Sequence, residues 1–312
     1  MDRKPVELSD KNITIFTDEI GWHTDELQKE FKKNHVKSHC VDLANCNLKN
    51  DNFFSAVSES SRKNNLPSLA FVRGIAGGSF EQVTKRLSIL HCLSMLGIPV
   101  INSARAIEKS VDKSMTSFIL KKNEIPTPDF WVTENVNQAI KIINNEISKG
   151  NSVVVKPLFG SQGRNIVRFS NNVNNRINFQ ENIGVKQSVY YIQNFIPSNG
   201  YHSEFDFRVL VIDKKAVAAM QRWGNDWIHN IARGGKSKSV QLTHKLKRIS
   251  EDASEALGLN IAGVDLIPDP SSPEGLQVIE VNGVPAWKAL QNVSKINITN
   301  ELATYLISII SG

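Results

Sequence analysis

Apolar and β-branched residues gather in short runs along the first part of the chain, separated by longer stretches in which they recur every three to four positions. Asn12-Ile13-Thr14-Ile15-Phe16-Thr17-Asp18 predicts a strand. The segment after it predicts a helix that Thr24 would cap, with Leu27 and Phe31 one turn apart. Val36 to Leu43 and Leu69 to Gly74 predict two more strands, and Ile98 to Asn102 a fourth. Between the last two, Ser79-Phe80-Glu81-Gln82 has the spacing of a capping box for a long helix ending near Gly97. Strands alternating with helices imply a small parallel α/β domain, whose ligands would meet the strand carboxyl ends, where Asp18 and Arg73 fall.

Farther on, Ser103 to Asn123 reads as helix with a break near Ser110, stopped by Ile125-Pro126-Thr127-Pro128, and Glu134 to Lys149 predicts another helix. Ser152 to Phe169 predicts strand, glycine-bearing loop, strand. In it Gly160, Ser161, Gln162 and Gly163 would let backbone N–H groups approach an anion, and Lys156 would add a point charge. The loop is neither a strand-to-helix phosphate loop nor a dinucleotide fingerprint. Tyr190 to Pro197 predicts a strand whose backbone is free near the proline, suiting the edge of an adenine. In Ser203 to Ile212, Asp206 and Arg208 share one face, open to an ion pair or to ribose and phosphate contacts. Ala216 to Arg222 is a further strand, followed by the polar loop His229 to Gly235.

The most informative pattern lies near the end. Ala262 to Leu266 and Leu276 to Gly283 predict a hairpin, with Pro268, Pro270, Pro273 and Gly275 punctuating between them. Period-two alternation sets Asp265, Glu280 and Asn282 apart from Val264, Leu266, Ile279 and Val281. Two carboxylates and an amide oxygen, with no His or Cys nearby, suit Mg²⁺, which takes remaining ligands from water and nucleotide phosphates. Mg-ATP is the implied ligand.

A chain of 312 residues suffices for two or three domains. Its three cysteines form no C-x-x-C pair, which argues against a disulfide framework and fits a reducing cytoplasm. No apolar run approaches a membrane span, and the N-terminus lacks the apolar core of a signal peptide. The net charge of +6 permits nucleic-acid binding, but Lys32-Lys33, Lys121-Lys122 and Lys245 to Arg248 are scattered and lack interleaved aromatics. An anionic substrate accounts for the excess equally well.

In this order, Asp112-Lys113, Val155-Lys156-Pro157, the Gly160 to Gly163 loop, Gln193 to Ile196, Asp206-Phe207-Arg208, Arg222, Asn230 to Gly235, Ala262 to Asp265 and Glu280-Val281-Asn282 resemble the ATP-grasp carboxylate-amine ligases. The branch they are most similar to is that of the ribosomal-protein glutamate ligase and its relatives. The resemblance implies an α/β fold, α+β in part, with three lobes: an N-terminal parallel α/β domain (1–108), a central lid (109–190) and a metal- and nucleotide-binding lobe (191–312). ATP would lie between the last two. It assigns Lys113, Lys156 and the glycine loop to ATP phosphates, Gln193 and Asn194 to the adenine side and Asp206 to ribose, with Arg208 beside it. Asn230 and the catalytic cations Arg222 and Arg233 go to the phosphate and acyl-phosphate region. Asp265, Glu280 and Asn282 go to Mg²⁺, for which Mn²⁺ could substitute.

The implied activity joins an amino acid, glutamate above all, to a carboxylate by way of an acyl-phosphate, releasing ADP and phosphate. No nucleic acid or membrane is implied, and a homo-oligomer is compatible with it. Gln193-Asn194 departs from the family's usual Gln-Glu or Glu pair. The run Gly283-Val284-Pro285-Ala286-Trp287-Lys288 departs from the usual small-Ser-Pro-Gly sequence and is closer to members acting on tetrahydromethanopterin. There Trp287 could present a flat surface, and Lys288 and Arg73 could hold carboxylates. Alternative acceptors are a ribosomal-protein tail, another cofactor or a free amino acid. The alternative outside catalysis is an ATP-binding regulatory protein that keeps the fold.

Overall fold

The computed structural model describes residues 11–48, 55–56, 66–160, 165–171, 188–197, 205–224 and 234–311. In chain order the first elements are β1 (Asn12–Phe16), α1 (Trp22–Lys33), β2 (Lys37–Val41), β3 (Cys46–Asn47), β4 (Ser55–Ala56), β5 (Leu69–Val72), α2 (Phe80–Met95) and β6 (Val100–Ile101). Strands β2, β1, β5 and β6 form an all-parallel sheet in that order, as the alternation of strands and helices predicts. The capping box at α2 forms as expected: Gln82 N donates to Ser79 Oγ at 3.4 Å, and Ser79 N to Gln82 Oε1 at 3.0 Å. At α1 the cap is Gly21, not Thr24. Thr24 sits three residues inside, accepting from Gly21 N at 2.9 Å and donating to Gly21 O at 2.7 Å, so it closes the box from within.

The middle of the chain comprises α3 (Ala104–Val111), α4 (Lys113–Lys122), β7 (Phe130–Thr133), α5 (Val136–Ser148), β8 (Val153–Pro157), β9 (Val167–Phe169) and β10 (Tyr190–Asn194). The helix break falls at Asp112, whose Oδ1 caps α4 by accepting from Ser114 N at 2.8 Å and Met115 N at 3.1 Å. Strands β7, β10, β8 and β9 make a second sheet, all of whose pairs are antiparallel. Then follow β11 (Asp206–Ile212), β12 (Lys215–Trp223), β13 (Lys236–Val240), α6 (His244–Leu257), β14 (Ile261–Pro268), β15 (Leu276–Asn282), α7 (Lys288–Val293) and α8 (Ile298–Ser311). Their strands form a five-stranded sheet, β13-β12-β11-β14-β15, which contains the expected terminal hairpin.

Packing divides unevenly among these three sheets, beside which β3 and β4 form a short antiparallel pair of their own. Val209 and Val211 of β11 face α6, where Ile249, Ala253 and Leu257 cover them, while Leu210 and Ile212 face the other way. On that second side Leu302 and Leu306 of α8 lie in one core with Ile13, Ile15 and Phe71 of the parallel sheet and Leu27 and Phe31 of α1. The parallel and five-stranded sheets thus share a core through α8. The middle sheet has its own, built from Ala139, Ile143 and Ile147 of α5 on Val153, Val155 and Ile192. No helix among the described residues is long and apolar enough to cross a membrane.

Asn102, two per cent exposed, pins the end of β6 to the five-stranded sheet. Its Nδ2 donates to Ile261 O at 2.6 Å and Gly283 O at 2.7 Å, and its Oδ1 accepts from Asn260 N at 2.7 Å and Ile261 N at 3.0 Å.

Candidate active site

Register decides which polar residues meet. Asp265 stands opposite Glu280, Gly263 opposite Asn282, Arg208 opposite Asp265, and Asp206 opposite Arg222. Directly paired residues point to the same side of a sheet. Arg222, Asp206, Arg208, Asp265, Glu280 and Asn282 therefore occupy one face, the continuation of the face that Leu210 and Ile212 bury against α8.

On that face the charges form a chain. Arg222 clamps Asp206 with both fork nitrogens, at 2.7 and 2.9 Å, and reaches Asp265 Oδ2 at 3.1 Å. Arg208 holds Asp265 in a second two-point pair, through Nε to Oδ1 and through Nη2 to Oδ2 at 2.6 Å. The two guanidinium groups keep Asp265 ionised, its carboxyl held below the ordinary range despite the burial that opposes this. Arg222 is raised from its ordinary value by Asp265 and Asp206. Gly263 makes room for the arrangement, since a Cβ there would stand 3.0 Å from Pro285 and 3.3 Å from Arg208 Nη1.

Glu280 is different. It is half-buried, and among the described residues it is engaged through the fields of Lys113 and Lys156. Both lysines come from the other side of the cleft. Lys113 opens α4 and donates to Leu158 O at 3.3 Å and Gly160 O at 3.0 Å, holding the start of the glycine loop. Lys156, on β8, donates to Gln193 Oε1 at 2.7 Å. Desolvation pushes the Lys156 ammonium down to about 8, with Glu280 acting in the opposite sense. Among the described residues, Gln193 Nε2 and Asn194 Oδ1 are buried without a hydrogen-bond partner. Between the walls runs a narrow cleft lined by Lys113, Ser117, Tyr191 and Glu280.

The structure thus gathers Lys113, Lys156, Gly160, Gln193 and Asn194 on one wall and Asp206, Arg208, Arg222, Asp265, Glu280 and Asn282 on the other. Ser161, Gln162, Gly163, Asn230 and Arg233 lie outside the described residues. Asp206, expected beside a ribose, is the bidentate partner of Arg222. Trp287 is one per cent exposed and donates through Nε1 to Thr299 Oγ1 at 3.0 Å, so it serves the core and is no open stacking surface. The sequence reading passed over Tyr191 and His23. Tyr191 lies one residue from the adenine-side segment, its hydroxyl 2.7 Å from Ser117 Oγ. His23 stands at the start of α1 just beyond β1, a position that the carboxyl-end rule for parallel sheets could have flagged.

A cleft between two sheets, with lysines on one wall and an oxygen-rich face on the other, has the architecture of the ATP-grasp ligases. A solved structure of the ATP-grasp ligase PsnB complexed with minimal precursor, Mg and ADP matches 98% of this chain and 100% of its own, with a TM-score of 0.72 at 14% identity. Residues 110–306 match the RimK-like ATP-grasp domain, and the chain belongs to that family. It is a carbon–nitrogen ligase. It is 36% identical over 246 residues to the tetrahydromethanopterin:alpha-L-glutamate ligase of Methanocaldococcus jannaschii, covering 78% of this chain and 80% of that protein. The protein of the same name from Methanococcus maripaludis is 32% identical over 297 residues, covering 92% and 95% respectively.

Proposed function

We propose that this protein uses ATP and Mg²⁺ to join glutamate, through its amine, to a carboxylate of a tetrahydromethanopterin-type cofactor. The observation that carries the reading is the extent of the match to the Methanococcus maripaludis enzyme, 297 residues. The family domain accounts only for 110–306, so the similarity extends into the parallel sheet, outside the shared nucleotide-binding core. The division into lobes at 1–108, 109–190 and 191–312 is supported by the three sheets, with the second boundary moved past Asn194 because β10 pairs within the middle sheet.

In the proposed reaction an oxygen of the acceptor carboxylate attacks the γ-phosphorus of ATP, the bond to ADP breaks, and an acyl-phosphate forms. The glutamate amine then attacks the acyl carbon, phosphate leaves with the C–O bonding pair, and an amide remains. Lys156 and Lys113 neutralise phosphate charge, Gln193 and Asn194 offer their unsatisfied groups on the adenine side, and the Gly160 to Gly163 loop covers the phosphates. Asn230 and Arg233 are proposed for the acyl-phosphate end. Arg222, fixed by Asp206 and Asp265, presents a stationary positive charge.

Glu280, whose carboxylate has no ion-pair partner among the described residues, and Asn282 on the same face fit a hard divalent cation; Asp265, proposed with them, has both oxygens paired with Arg208 and Arg222. Mg²⁺ bound there would supply charge neutralisation at phosphate oxygens. Incubation with ATP, Mg²⁺, glutamate and each candidate acceptor, followed by mass measurement, tests the proposal. A gain of one glutamyl unit on the pterin is expected; modification of a ribosomal-protein tail but not of the pterin would overturn it.

A further inference from the structure

Outside the nucleotide cleft, a second hollow opens where the parallel sheet meets the segment after β15. In the order β2-β1-β5-β6 the chain leaves β1 toward β2 and leaves β5 toward β6, so the winding reverses between β1 and β5. Such a reversal opens a crevice at the strand carboxyl ends, the usual ligand position of an open α/β sheet. Thr17 to Gly21 form one lip and Arg73 to Ser79 the other. Gly74 lets the Asp18 carboxylate lie against the backbone, where a Cβ would displace it. The hollow is lined by Phe71, Arg73, Asn102, Pro285 and Trp287.

The polar groups that meet at the His23 ring are donors, and the carboxylates of Asp18 and Glu19 lie near Arg73 without an ion pair to it among the described residues. The Arg73 guanidinium lies 5.4 Å from the centre of the Trp287 ring, and its Nε is buried without a hydrogen-bond partner among the described residues. Arg73 Nη2 is 3.2 Å from His23 Nδ1. The other ring nitrogen, Nε2, is 3.2 Å from the backbone nitrogens of both Trp287 and Lys288. A neutral imidazole has one lone pair and one N–H, yet three N–H donors surround it. Accepting at Nε2 serves the two backbone groups and leaves Nδ1–H against Arg73, donor facing donor. Protonation gives no relief, because burial together with Arg73 and Lys288 drives His23 down to about 4. Lys288 is exposed on the rim, with Nζ 5.9 Å from the Trp22 ring centre. Among the described residues no acceptor lies within hydrogen-bond distance of Arg73 Nε or of the Nδ1–H so placed, and a carboxylate brings two oxygens with several lone pairs.

We infer that this crevice is the subsite for the α-carboxylate of the amino-acid substrate, received by Arg73 and the His23 Nδ1–H, with Lys288 at the entrance. The inference rests on the reading of the protein as an amino-acid ligase and names where that amino acid binds. An amino acid fits better than the acid acceptor because Asp18 and Glu19 add negative charge around Arg73, so both signs meet in one hollow. That arrangement matches a zwitterion and disfavours a polyanion. Position agrees, since the chain from Asn282 to Trp287 can span at most about 18 Å. Gly283 and Val284, which directly follow Asn282, line the same hollow, so the subsite adjoins the end of the strand that carries Glu280 and Asn282.

Equilibrium dialysis of labelled glutamate against the full chain, with Mg²⁺ and a non-hydrolysable ATP analogue present, tests this without requiring turnover. Arg73→Gln is expected to weaken glutamate binding about tenfold or more and Lys288→Met about threefold, with analogue binding unchanged in both. The Lys288 substitution is on the surface and keeps the test valid if Arg73→Gln misfolds. Glutamate binding unaltered in folded variants overturns the inference, as does a loss confined to the pterin acceptor. A natural chain that binds the analogue but no glutamate also overturns it while the nucleotide site stands; failure to bind the analogue removes the ligase reading and this inference together.

Discussion

Glu280 and Lys156 face each other across the cleft, and the separate tasks proposed for them should be parted by single substitutions. Glu280→Gln keeps shape and removes charge. It is expected to lower kcat about 100-fold, with ATP affinity changed little because the nucleotide keeps its other contacts. Lys156→Met should weaken ATP binding about tenfold or more, the worth of one charge-assisted contact, as read by titration calorimetry. Lys156 also sets a pH dependence. Its ammonium titrates at about 8 in the free protein, so above that pH more of the protein has lost the charge that meets phosphate. ATP affinity should therefore fall as pH rises from about 8, by no more than about tenfold per unit, and Lys156→Arg should flatten the profile. Much of this site was legible in the sequence, because a strand's alternation fixes the face of Asp265, Glu280 and Asn282 wherever the strand lies. The partners of Asp206 and Arg208 were not. Two positions apart on one strand they stand about 7 Å from each other, whereas cross-strand neighbours are about 5 Å apart, so each pairs outward, with Arg222 and Asp265. Which strands lie side by side is a long-range fact that no local pattern carries.

Among the elements, the junction between β6 and the β14–β15 pair holds the first lobe against the last, and Asn102 is its centre. Asn102→Ala removes four hydrogen bonds from a buried position and strands the N–H groups of Asn260 and Ile261 along with two carbonyls. A loss of about 2–4 kcal/mol is expected in urea unfolding, against less than about 0.5 kcal/mol for a surface control such as Lys29→Ala. An unchanged midpoint would show that the junction is held by packing alone. The elements were the most readable part of the chain: the capping box at Ser79, the parallel alternation and the terminal hairpin all follow from local chemistry. The reading differed at Thr24, which stands at the third helical position and bonds the backbone of Gly21 from within, Gly21 having no side chain to cap with. Near Ser110 the helix breaks as expected, and Asp112 sets the place by offering a carboxylate to two backbone N–H groups, while Ser110 turns its hydroxyl back to Ile107 O.

At the scale of the whole molecule, one core runs from the parallel sheet through α8 to the five-stranded sheet, while the middle sheet has a separate core on α5 and meets α4 at β7 and through the Ser117–Tyr191 hydrogen bond. The parallel sheet and the face bearing Glu280 therefore belong to one packed unit and the wall carrying Lys156 to another, so closure in the proposed reaction would bring the second onto the first. Closure matters because an acyl-phosphate is as open to water as to an amine, and excluding water directs it to the amide. The lysines and the oxygen face lie around the phosphate end of the proposed nucleotide, which favours transfer of the γ-phosphoryl group over attack at the α-phosphorus. ATP should accordingly yield ADP and phosphate in step with product. With glutamate omitted and hydroxylamine supplied, the acceptor should be recovered as a hydroxamate, and ATP consumption without acceptor should be slow. AMP rising in proportion to product would refute this scheme. ADP released rapidly without either trapped hydroxamate or amide would mean instead that the lobe carrying Lys156 fails to shield the intermediate.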